Sequence, residues 1–207
     1  FFLFPPTGIN LFYMKRYALL AATMVLLISC NESRRGNDSN ANEDRDEAAA
    51  ESNTDKFAGD KHKDADFVFE VVESNYGEIK LAELASQKSR NTEVKNIAKM
   101  LLTDHTASLN DLKTVAQAKA ISVPVEETDA ARRTLEDMAG ESDKDFDLSW
   151  CKKMLDLHET SIDKFEDRLE KTEDAQLKDY VDKTLPVLRK HQEELQACEK
   201  KLEQTKS

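Results

Sequence analysis

Glycine and proline are scarce, at five and four in 207 residues. Hairpins and sheet corners draw on both, so a turn-rich β-fold is excluded and long helices are expected. Aromatic residues make up only 7%, and no stretch shows the strict apolar–polar alternation of a half-buried strand. Positive charge is also in deficit: 30 Lys and Arg stand against 41 Asp and Glu, a formal net charge of −11. A surface of that sign repels phosphate backbones and anionic lipid, which removes nucleic acid from the expected partners. Short catalytic signatures are missing as well. The chain has no P-loop, no Gly-x-Ser-x-Gly, no Cys-x-x-Cys and no His-Glu-x-x-His.

What is present begins with an address. Lys15 and Arg16 precede an apolar run, Tyr17 to Ile28, that is short for a bilayer span. The run ends in Leu27, Ile28, Ser29 and Cys30. Charge, apolar run, small residue and cysteine in that order resemble the lipobox of bacterial lipoproteins, which implies that Cys30 is lipidated and becomes the new N-terminus. The other reading is a plain secretory signal with a coincidental cysteine; both export the domain. Residues 1–13 fit no signal pattern and are read as upstream of the true start, Met14. Loss of the leader removes Lys15 and Arg16 and takes the net charge from −11 to −13. Asn31, in place of an aspartate, points to an outer-membrane lipoprotein facing the periplasm, with inner-membrane or cell-surface placement left open. The membrane, through the lipid, is then the one partner expected; protein partners and self-association are undetermined.

The organisation that follows is a leader over 1–29, lipidated Cys30 and a disordered tether over 30–63, and a helical domain over 64–207. The tether expectation rests on composition. Between Asn31 and Lys63 the residues are polar, charged, Gly or Ala, with Phe57 the only large apolar side chain, too little to offset ordering entropy.

Beyond it, apolar residues recur at spacings of three and four. One helix is expected over 64–88, with Phe67, Val68, Val71, Val72, Ile79 and Ala82 on its stripe. Asn91 reads as the N-cap of a second, carrying Val94, Ala98, Leu101, His105, Leu109 and Leu112. Residues 121–127, with Pro124, read as a loop, and a short helix over 128–139 ends at Gly140. A third long helix, 143–171, carries Cys151, Leu155, His158, Ile162 and Phe165. A fourth, 174–203, carries Leu177, Val181, Leu188, His191, Leu195 and Cys198, and Pro186 is expected to kink or loosen it. Four amphipathic helices without strands predict an all-α bundle.

Three of the four histidines fall on these stripes: His105, His158 and His191. The first long helix offers Glu78. Each short hairpin places its partners level to within about one turn, Glu78 opposite His105 and His158 opposite His191. Three imidazoles and a carboxylate meeting in a core suit one transition-metal ion, Zn, Fe, Cu or Ni. The alternative is a buried polar network, the histidines bonded to Glu78, Asp104 or backbone. The level rule also sets Cys151 opposite Cys198. A disulfide there would close a loop of about 48 residues and stabilise by roughly 3–4 kcal/mol; the alternative is two reduced cysteines packed as small apolar residues. Both lie about two turns, some 10 Å, from the histidines, too far to share an ion.

Phe67-Val68, Glu78 to Ala85, Asp104-His105, Met154 with His158, and Leu185-Pro186-Val187-Leu188 with His191 resemble the ferritin-like domain-of-unknown-function family 4142. The match spans about residues 65–202. It implies a ferritin-like four-helix bundle with a short extra helix between the second and third long helices, in an exported and commonly lipid-anchored protein, and no established activity. The chain departs from the family at Leu157-His158, where Asp-His is usual. A ferritin-like fold invites a di-iron reading, but Glu-x-x-His, which that centre needs on two helices, occurs nowhere; ferroxidase and di-iron oxidase chemistry are rejected. Three function classes remain: first, a lipid-anchored periplasmic binding module that holds a transition metal or small ligand among Glu78, His105, His158 and His191 with Asp104 behind them; second, a non-catalytic structural or envelope-stress protein working through protein contacts. A mononuclear metal enzyme is a third, needing an open coordination position.

Overall fold

The computed structural model describes residues 38–206. The signal peptide and the lipidation of Cys30 expected above lie outside them. Among the described residues there are six helices and no strand: α1 (Asp38–Lys56), α2 (Asp60–Lys88), α3 (Thr92–Ala118), α4 (Asp129–Gly140), α5 (Asp143–Lys171) and α6 (Ala175–Lys206). None of them is long and apolar enough to cross a membrane.

Local chemistry sets the helix ends. Asn91 Oδ1 accepts the Glu93 N–H at 2.8 Å and starts α3, and Thr128 Oγ1 accepts the Ala131 N–H at 2.9 Å and starts α4. Asp174 Oδ1 accepts from Gln176 and Leu177 at 3.1 and 2.9 Å and starts α6. At the end of α3, Ala120 takes φ 55° in the left-handed region, and the Ile121 N–H returns to Ala116 O at 2.9 Å. Helix α6 runs on through Pro186.

Four long helices form a ring, α2–α3–α6–α5. Ion pairs fix their directions. Asp64 meets Arg168 at one end and Arg90 meets Asp143 at the other, so α2 and α5 are antiparallel. Lys119 with Asp174, and Lys201 with Glu93, make α3 and α6 antiparallel too. Because α2 and α3 form a hairpin, α3 and α5 run the same way. Residues 119–142 must therefore travel back along the bundle, and they carry α4 across α2. Gly77 permits that crossing: a Cβ there would stand 3.1 Å from Ala131 Cβ.

The tether expectation is corrected in part. Residues 38–56 are helical, and α2 starts at Asp60 instead of Asp64, taking in His62, which pairs with Asp66 at 3.3 Å. Composition measured how much surface the segment could bury, not its local propensity. Its Ala, Glu and Arg residues are good helix formers. Asn53, nearly fully buried, then anchors it: its amide donates to Ser122 O and accepts from Ser122 N, both at 2.8 Å.

The core divides into two apolar clusters. One is built on Val68, Val72, Leu112, Phe165, Leu177 and Val181, the other on Leu81, Leu101, Phe146, Trp150, Met154 and Leu195. Between them lies a polar layer.

Candidate metal centre

That layer is made by one or two residues from each long helix: Asn75 and Glu78 on α2, His105 on α3, His158 on α5 and His191 on α6. Exposure is 4% at Asn75, 3% at Glu78, 4% at His105, 0% at His158 and 1% at His191. Polar groups so deep are costly unless partnered, so their partners decide what the layer is.

The three rings form a near-equilateral triangle, with centroids 5.2, 5.3 and 5.4 Å apart. His105 Nε2 lies 3.3 Å from His158 Nε2, which lies 3.2 Å from His191 Nδ1. All three nitrogens fall within 4.8 Å of one another. Tetrahedral ligands at about 2.0–2.1 Å from a zinc ion stand roughly 3.3–3.4 Å apart, so two of the edges already match.

The outer nitrogen of each ring faces an acceptor. His105 Nδ1 is 3.0 Å from Asn75 Oδ1, and the Asn75 amide is held that way round because its Nδ2 donates to Val71 O at 2.8 Å. His158 Nδ1 is 2.8 Å from Met154 O, and His191 Nε2 is 3.0 Å from Asp104 Oδ2. A carbonyl, an amide oxygen and a carboxylate cannot donate. Each outer nitrogen must therefore carry the ring proton, and in the neutral rings each inner nitrogen is a bare lone pair. Neutrality is what burial dictates. It holds His105 below its usual range, with Glu78 pulling the other way, and draws His191 down to about 4 against the hydrogen bond that His191 donates to Asp104. Three imidazole nitrogens thus converge, and the arrangement is compatible with metal binding.

Glu78 is brought to the layer but not into the cluster of ligand atoms. Its Oε1 accepts from Ser74 Oγ at 2.8 Å. Its Oε2, buried and without a hydrogen bond, lies 3.4 Å from His105 Nε2 and 3.5 Å from His158 Nδ1. All four residues expected to meet do reach the layer; the three imidazole nitrogens form the cluster and the carboxylate stands beside them. A cavity of about 190 Å³ adjoins the layer, lined by Glu78, His105 and His191 together with Val71, Phe165 and Leu188.

Asp104, expected behind the ligands without a named partner, is hydrogen-bonded to His191. Asn75 and Ser74 were missed. Asn75 sits on the same stripe as Val71, Val72 and Glu78, and a buried amide three residues before a buried carboxylate was the available signal. Cys151 and Cys198 meet across α5 and α6, with Sγ atoms 2.8 Å apart.

No curated protein and no solved structure matches the chain significantly. The family model described as a domain of unknown function (DUF4142) matches residues 46–198, more than half of the chain and beginning inside α1. The chain belongs to the DUF4142 family.

Proposed function

We propose that this protein is a ferritin-like binding module, anchored to a bacterial outer membrane through lipidated Cys30, that holds one transition-metal ion between His105, His158 and His191. The convergence of three buried imidazole nitrogens, with the other nitrogen of each ring held by an acceptor, carries the metal reading. The single long crossover between two helical hairpins is the connection that ferritin-like bundles use. The export reading rests on the order of charges, apolar run and Cys30 alone. Asn75, Met154 O and Asp104 set the tautomers, as outer-shell acceptors do around metal-bound histidine. Glu78 supplies a negative charge beside the cation and has a free oxygen to swing onto it. With three imidazoles as ligands, an ion would keep a further position for another ligand, and the 190 Å³ cavity beside His105 and His191 has room for a small one.

A titration of the full chain, purified without a histidine tag, with Co²⁺ tests the metal reading. Retention of one ion per chain after dialysis is expected, with the strong visible bands of a tetrahedral site, and both are lost in His105→Ala. Metal that dialyses away, or retention unchanged by His105→Ala, overturns it. The 3.2 and 3.3 Å nitrogen separations also favour a second reading, since they are hydrogen-bond distances once one ring takes a proton. In that case the layer is an imidazolium held by Glu78, the protein works through its acidic surface, and the cobalt bands do not form.

A further inference from the structure

Cys151 precedes His158 by seven residues on α5, and Cys198 follows His191 by seven on α6, so the cysteines occupy the next layer but one of the same helix pair. Both are buried, at 0% and 1% exposure, in the apolar cluster of Phe146, Trp150 and Leu195. Their sulfurs are 2.8 Å apart. Two unbonded sulfurs do not rest so close, and less than 1 Å of movement brings them to the disulfide length of about 2.05 Å. No third metal-ligating side chain joins them among the described residues, which removes an ion as the reason for the approach.

We propose that Cys151 and Cys198 form a disulfide that staples α5 to α6 and closes the end of the hairpin opposite its 172–174 turn. The two His ligands of that hairpin then lie between the turn and the bond. The oxidant is a disulfide, either of a small thiol such as glutathione or of a dithiol oxidoreductase. One protein thiolate attacks it, forms a mixed disulfide and releases one thiol. The other protein thiolate displaces the second thiol and leaves the Sγ–Sγ bond. The protein loses two protons and two electrons, and the oxidant's disulfide becomes two thiols. Contact with Cys198 and burial push the Cys151 thiol far up from its ordinary value, so exchange in the folded protein is slow and the bond forms as the hairpin folds.

The full chain, free of metal, is unfolded and refolded in glutathione buffers of increasing oxidised fraction, quenched in acid, alkylated with N-ethylmaleimide and peptide-mapped so that Cys30 is read separately. A cross-linked 151–198 peptide is expected at ratios where Cys151→Ala shows at most a glutathione adduct on Cys198. The oxidised protein should melt roughly 5–10 °C above the reduced one. Maleimide or glutathione on both cysteines at every ratio overturns the bond, and equal melting of the two forms overturns the staple. The peptide map of the wild-type chain decides the first point even if the alanine variant does not fold. Every readout is taken without metal, so this result stands or falls apart from the metal reading.

Discussion

Near the α5–α6 turn, Asp64 meets Arg168 at 3.3 Å and accepts from Thr172 at 3.1 Å; at mid-bundle, Glu78 meets the imidazoles of His105 and His158 at 3.4 and 3.5 Å. Both carboxylates are buried in the same ring of helices. Burial pushes the Asp64 carboxyl up, and the Thr172 hydroxyl and the Arg168 guanidinium pull against it. That cluster has its cation built in, permanently charged and covalently attached. The central layer has a carboxylate and three inward lone pairs but no built-in cation. The two polar sites therefore differ in charge: one carries its own cation and ties α2 to α5, and the other, more deeply buried, is compatible with an added cation.

The sharpest way to break this comparison is to remove the cation that is built in. Arg168→Met leaves Asp64 buried without a counter-charge and should cost about 3–5 kcal/mol by urea unfolding, with much of it recovered in Asp64→Asn/Arg168→Met. A loss under about 1 kcal/mol would show that water already neutralises the cluster. The central layer should behave in the reverse sense. His158→Leu, which replaces one of the three converging imidazoles by an apolar side chain of similar volume, should change the stability of the metal-free protein by less than about 1.5 kcal/mol. Zinc at a hundredfold over its Kd should stabilise the parent by about 2.7 kcal/mol and leave that variant unchanged.

Acid supplies the other cation that the central layer can take. His191 is held at about 4 when folded against an ordinary 6.5, so the unfolded chain binds more protons between those values. Metal-free stability is then full above about pH 6.5 and falls as the pH drops towards 4, by on the order of 2–3 kcal/mol. A flat denaturation midpoint across that window would show that the imidazoles already share a proton at neutral pH. The smallest effects belong to the outer acceptors. Asn75→Ala and Asp104→Ala free the tautomers of His105 and His191 and should weaken metal binding roughly ten- to a hundredfold by titration.

Much of this was legible in the residues. The long helices lie where the period of apolar residues put them, and His105, His158 and His191 come together because each occupies a seam and the short hairpins fix their heights. The helical state of residues 38–56 was hidden. The segment has almost no apolar stripe, and its fixed point is an amide of Asn53 reaching Ser122, 69 residues away. Glu78 was placed at the right height, but the side chain turns towards Ser74 and so stands beside the imidazole cluster.

The sequence by itself determined that this chain makes amphipathic helices and that three histidines lie on their buried faces, because helix periodicity is a local property of residues three and four apart. Only the tertiary structure decided that α3 and α5 run parallel through a crossover, and which nitrogen of each histidine faces inward. The acceptors that turn the rings of His105 and His191, Asn75 and Asp104, come from other helices, and no spacing rule within one helix reaches them.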